Sequence, residues 1–220
     1  MTQSNPINSA PRILEAPEIS EENGNYPTPE WQQFGNHNWR ASDLSEHLHQ
    51  AMIDIGDGIE LCVEAGGNPN NPPLLMIMGL GSQMIFWPNN FMKRLIDAGF
   101  FVIRFDNRDI GLSSKVQIDG LPRISQLKMM MRLQTGLSNK GAQVAYNLTD
   151  MAEDTARLIK ALHLNKTHLL GASMGGMIAQ IVAARYPSLV QRMALMFTTT
   201  NRAFLKPPKP KQLYTLINRP

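Results

Sequence analysis

Residues 167–185 read THLLGASMGGMIAQIVAAR, and the stretch divides at Ser173. Before it, His168 to Leu170 read as a short strand. After it, Met174, Met177, Ile178, Ile181 and Val182 fall on one stripe at helical spacing, with Pro187 just beyond. That spacing predicts a helix over Met174–Arg185. At the junction, Gly171-Ala172-Ser173-Met174-Gly175 matches G-x-S-x-G. The five letters alone would also suit an ordinary turn with a capping serine. A strand immediately before and an amphipathic helix immediately after are what a nucleophile on a tight turn requires. Glycines on either side let strand and helix approach closely. The serine then stands above the sheet, with the helix N-terminus beneath it favouring negative charge.

Outward from this junction the same alternation continues. Ile59–Ala65 and Leu74–Met78 are short apolar or alternating runs bounded by Gly, Asn and Pro, and Phe101–Phe105 is continuous apart from Arg104. These read as strands, as do Thr167–Leu170 and Arg192–Phe197. All but the first are expected to pair in parallel. Helices are expected over Asn89–Ala98, where Phe91, Met92, Leu95 and Ile96 share a face, and over Asp150–Leu162, with Asp150 and Glu153 resembling a capping box. Leu127–Leu133, with three successive methionines, reads as a short helix. Strands alternating with helices predict an α/β fold with a mostly parallel sheet and helices on both faces.

The chain has 220 residues, 43% hydrophobic and 18% charged, enough to bury a substantial core. Its net charge of +3 is too small to argue for nucleic acid. The one cysteine, Cys62, excludes an internal disulfide framework and fits a reducing compartment. It reads as a small buried apolar residue on a strand. No apolar run approaches the roughly 18 residues of a spanning helix, and residues 1–17 lack the basic flank and apolar stretch of a signal peptide. A cytoplasmic protein with a small-molecule substrate is expected, with no nucleic acid, no membrane, no cofactor and no metal. Residues 1–50, rich in Asn, Pro, Glu and Gln, read as a partly disordered arm that Trp31, Phe34 and Trp39 dock. The core is expected over 51–200.

Three motifs in order now carry a resemblance. Residues 74–81 read LLMIMGLG, residues 105–113 read FDNRDIGLS, and GASMGG follows. Together they resemble the α/β-hydrolase fold family, from about Ile59 to Phe197. The Asn-Arg-Asp version of the middle motif most resembles the branch of aclacinomycin methylesterase-like and proline-iminopeptidase-like proteins. The resemblance implies a serine hydrolase, with Ser173 as nucleophile and the backbone N–H groups of Leu80 and Met174 as oxyanion hole. Met78 stands where the family usually has histidine. Asp106 and Arg108 read as a hydrogen-bonded turn bracing the sheet edge, and Phe86 and Trp87 as pocket wall or core.

A serine hydrolase of this fold needs an acid and then a histidine after the nucleophile. After Ser173 there is no Asp, Glu or His. His163 ends a helix and His168 begins the elbow strand at the end opposite the elbow, and His37, His47 and His49 lie in the N-terminal arm. The reading is therefore of a chain cut short, with residues 201–220 as the start of a lid and the last strands missing. Such a chain alone is expected to be inactive. The strand at Arg192–Phe197 would be left as a bare apolar edge through which copies can associate. The alternative is a non-catalytic binding or scaffold protein of the same fold. Substrate identity is not legible, because lid and pocket walls set it.

Overall fold

The computed structural model describes residues 34–116 and 145–200. Seven strands form one sheet: β1 (Arg40–Ser42), β2 (Ser45–Asp54), β3 (Glu60–Gly66), β4 (Pro73–Ile77), β5 (Phe101–Phe105), β6 (Thr167–Ala172) and β7 (Val190–Met196). Among the described residues three α-helices join them: α1 (Asn89–Asp97), α2 (Leu148–Ala161) and α3 (Met174–Arg185). Strand order is β1-β2-β3-β5-β4-β6-β7. The first three strands and β5 pair in antiparallel fashion, and β5, β4, β6 and β7 run parallel.

Alternate residues of each strand feed opposite faces. Leu75 and Ile77 of β4 and Phe101, Ile103 and Phe105 of β5 join Met151 and Ile159 of α2 and Ile178 and Val182 of α3. Leu74 and Met76 of β4 and Val102 of β5 point the other way, onto Met92 and Ile96 of α1. Among the described residues, one helix therefore covers one face and two cover the other. The apolar run of β5, broken only by Arg104 and buried along its whole length, follows from this double cover.

Several expectations meet a different arrangement. The change of texture at residue 51 falls inside β2, whose Leu48, Gln50, Ala51 and Ile53 are buried while Met52 and Asp54 are exposed. Phe34 and Trp39 pack into the core, Phe34 edge-on to Phe101 with centroids 4.9 Å apart. Residues 34–50 are thus part of the sheet and its core. The capping box of α2 sits three residues earlier than Asp150 and Glu153. Asn147 is the N-cap, accepting from Thr149 and Asp150 N–H groups, and Asp150 closes the box by accepting from the Asn147 N–H. Such a cap stabilises a helix by about 1 kcal/mol. The helix-like run at Leu127–Leu133, Trp31 and residues 201–220 lie outside the described residues. At the far edge, Gln191 to Leu195 of β7 are exposed among the described residues.

Candidate active site

Strand β6 ends at Ala172 and α3 begins at Met174, so Ser173 alone makes the turn. It does so with φ 53° and ψ −119°. A non-glycine residue held there costs on the order of 1–3 kcal/mol, which the surroundings must offset. The Ser173 N–H donates to the Met196 carbonyl at 2.9 Å, and the Ser173 carbonyl accepts from the Gly176 N–H at 3.0 Å. The same carbonyl accepts from the Thr198 hydroxyl at 2.6 Å. Gly175 allows the helix to sit this low: a Cβ there would lie 2.0 Å from the Ile77 carbonyl oxygen. The Ser173 side chain is exposed, and its hydroxyl has no hydrogen-bond partner among the described residues.

The end of β4 runs beside the serine. A Cβ built on Gly79 would lie 3.1 Å from Ser173 Cβ and 3.6 Å from its Oγ. The next residue, Leu80, has an exposed side chain. Its N–H has no partner among the described residues, and neither does that of Met174 in the first turn of α3. The fold therefore brings together one hydroxyl, a helix N-terminus and the backbone at 79–80, with two backbone donors left over. Such a set can present a nucleophile to a carbonyl and receive the oxyanion that forms. A concavity of about 350 Å³, lined by Gln180, Leu195, Phe197 and Thr198 to Thr200, adjoins the elbow.

The turn after β5 holds this loop in place. Asp106 accepts from the Met84 N–H at 2.6 Å and from the Leu112 N–H at 3.4 Å. Burial pushes its carboxyl up, and those two N–H groups pull the other way. Asn107 Nδ2 donates to the Met78 carbonyl at 3.2 Å. Asp106 and Asn107 thus clamp the segment 78–84 from both ends, a role for Asn107 that the motif reading missed. Arg108 donates twice to Asp154 of α2, both at 2.5 Å, with its guanidinium 4.9 Å over the Tyr146 ring. Burial pushes the Asp154 carboxyl up, against the pull of Arg108. The turn closes a central strand, not an edge strand, because β5 lies between β3 and β4. Trp87 is core and Phe86 is exposed. Buried Cys62 accepts from Gln50 at 3.3 Å, and its thiol is pushed up to about 11 by burial and then by Asp106 and Glu64.

The described histidines are placed elsewhere. His47 and His49 lie on β2, which is four positions from β6 in the sheet and so ~19 Å away at strand spacing. His168 is the second residue of β6, roughly 16 Å along the strand from Ser173, packed edge-on to Phe100. His163 follows the end of α2, and the His37 ring meets the Ala161 carbonyl at 2.9 Å at that same end. No described Asp, Glu or His hydrogen-bonds to Ser173.

Comparison with known proteins matches this architecture. The family model described as alpha/beta hydrolase fold matches residues 72–215. Rhodomycin D methylesterase DnrP of Streptomyces peucetius is 29% identical over 140 residues, 64% of this chain and 39% of its own length. The poly(3-hydroxyalkanoate) depolymerase of Ectopseudomonas oleovorans is 28% identical over 153 residues, 69% of this chain and 44% of its own. The chain thus spans about two fifths of these relatives' length. Among solved structures, a 2-hydroxy-6-oxo-6-phenylhexa-2,4-dienoate hydrolase from Rhodococcus sp. strain RHA1 superposes with a TM-score of 0.54. It is 19% identical, and the match covers 77% of this chain and 53% of that one. Among the described residues no helix is long and apolar enough to cross a membrane. With the strand order, the serine turn and a family match over most of its length, this chain belongs to the α/β-hydrolase fold family.

Proposed function

We propose that these 220 residues carry the nucleophile and oxyanion half of a serine hydrolase that cleaves a carboxylic ester, amide or thioester of a small molecule. The observation that carries the reading is the backbone of Ser173, held in a left-handed conformation between β6 and α3 with Gly79 against its side chain. A plain strand-to-helix turn has no use for that strain. Ester chemistry is favoured by two relatives, one named as a methylesterase and one as a depolymerase of a polyester.

In this reading Ser173 Oγ attacks the substrate carbonyl carbon while its proton passes to a histidine. The carbonyl π electrons move onto oxygen, where the Leu80 and Met174 N–H groups receive them. The tetrahedral intermediate collapses, the C–O bond to the leaving alcohol breaks, and the histidine returns the proton to that alcohol. Water then attacks the acyl-enzyme in the same way and releases the acid. The histidine and the acid that orients it are assigned to polypeptide beyond these 220 residues, in keeping with the share of the relatives' length spanned. Without them the serine keeps its proton at neutral pH, so these residues alone are expected to be nearly inert.

A second reading, a non-catalytic binding protein, is favoured by the lack of any described acid or base at the serine. A fluorophosphonate probe separates the two. Labelling of the complete polypeptide at Ser173, lost in Ser173→Ala, supports the enzyme. Labelling that survives Ser173→Ala puts the nucleophile elsewhere, and no labelling of the complete polypeptide favours the binding protein.

A further inference from the structure

The Ser173 carbonyl accepts one bond more than the start of a helix supplies. It takes the Gly176 N–H at 3.0 Å and the Met177 N–H at 3.4 Å. It also takes the Thr198 hydroxyl at 2.6 Å, from just past the end of β7. That carbonyl shares a peptide unit with the Met174 N–H. The unit is planar and trans, so whatever fixes the C=O direction fixes the N–H direction opposite it.

We propose that Thr198 is a positioning residue for the oxyanion hole, its hydroxyl fixing the Ser173–Met174 peptide plane and so the aim of the Met174 N–H. The proposal rests on the serine-hydrolase reading above and assigns a residue that reading does not use. Three features support it. Ser173 lies outside the relaxed backbone minima, so its own torsional preferences do not hold this plane. Anchors come instead from the end of β7, where the Met196 carbonyl takes the Ser173 N–H and Thr198 grips the other side. The Thr198 side chain is itself confined. A Cβ on Gly176 would lie 2.6 Å from Thr198 Cγ2 and 2.7 Å from its Oγ1, so the side chain rests on the first turn of α3. The hydroxyl has one proton and two acceptors in view, Ser173 O at 2.6 Å and Thr199 O at 3.5 Å, and the shorter contact takes it. Gln180 steadies the pair by donating to the Gly176 and Thr199 carbonyls, both at 3.0 Å. A bond to the C=O also polarises the peptide and strengthens its N–H as a donor.

The test is hydrolysis of p-nitrophenyl acetate by the complete polypeptide, with kcat and KM measured separately. Thr198→Val keeps the shape and removes the donor. Because removing a whole oxyanion donor costs 10²–10³ in kcat, a misaimed one is expected to cost about 10-fold, with KM within about 2-fold. Thr198→Ser keeps the donor and is expected to restore kcat, which a merely space-filling role would not do. Thr198→Ala serves as a second removal variant should Thr198→Val fold poorly, and a melting curve is taken for each. Parent kcat in a folded removal variant overturns the proposal, as does an equal kcat loss in Thr198→Val and Thr198→Ser or a loss carried by KM alone. Ser173→Ala is run alongside: retained activity there fails the serine-hydrolase reading itself, whereas an inactive Ser173→Ala beside a fully active Thr198→Val fails only this inference.

Discussion

Glu64 and Arg104 face each other across the β3–β5 pair, and both side chains are 0% exposed. Glu64 Oε2 accepts from Arg104 Nε at 2.8 Å, and its Oε1 from the Ser42 hydroxyl at 2.5 Å. The guanidinium also donates to the Trp87 carbonyl at 2.5 Å and to Asn89 Oδ1 at 3.0 Å, so it ties the segment before α1 to the sheet. Glu64→Leu removes the countercharge and leaves the cation buried with two neutral acceptors. Breaking a buried pair from one side costs about 3–5 kcal/mol, and the surviving acceptors argue for the lower end. At roughly 2–4 °C per kcal/mol for a chain of this size, Tm is expected to fall by about 6–12 °C. Glu64→Leu with Arg104→Met should recover most of that loss, because an apolar pair of similar volume is often neutral; the orphaned Trp87 carbonyl keeps back about 1 kcal/mol. Asp97→Asn, which breaks the exposed Lys93–Asp97 pair, is the control and should cost under about 0.5 kcal/mol. Thermal unfolding followed by circular dichroism gives all three. A Glu64→Leu protein melting within about 2 °C of the parent, or a double variant no better than the single one, would refute the reasoning.

Two further outcomes follow from the site and its surroundings. Leu80→Pro removes a main-chain donor and is expected to lower kcat by roughly 10²–10³ in the complete polypeptide, while Leu80→Ala does far less; equal losses would transfer the role to the Leu80 side chain. With its thiol pushed up to about 11, Cys62 is about one part in a thousand thiolate at pH 8. Ellman's reagent should therefore titrate no thiol in the folded protein and one after denaturation, and rapid reaction of the native protein would contradict the burial described.

The elbow was legible because every requirement for it is local. Ser173, its flanking glycines and the helical stripe of α3 fit inside nineteen consecutive residues. Strand β5 was legible for a similar reason, since burial on both faces leaves an apolar run broken only by Arg104. Strand β2 was not. Its buried positions include Gln50, which donates to Cys62, and Glu46, His47 and His49 interrupt the apolar pattern. A polar residue satisfied by a neighbouring strand carries no mark of burial in its own sequence. The cap of α2 slipped by three residues because Asp150 suits both the N-cap and the closing position of a box, and only the contacts of Asn147 decide. The clamp of Asn107 on Met78 and of Thr198 on Ser173 join residues 29 and 25 positions apart. Long-range contacts of that kind leave no periodic signal.

The placing of β4 has a consequence for how the chain is made. Both of its partners, β5 and β6, come later in the sequence, and β6 begins ~90 residues after β4 ends. At roughly 5–20 residues per second of synthesis, the apolar stretch Leu74–Met78 emerges some 5–20 s before its second neighbour exists. The β2–β3 hairpin can pair at once, and β5 can join β3 soon after, but the slot beside β4 stays open. Closing it draws the ends of a long loop together before any contact rewards the lost entropy. The strand whose end flanks the candidate nucleophile is thus fully seated late, and a nascent chain is most exposed to mispairing or chaperone capture at the very segment on which the site is built.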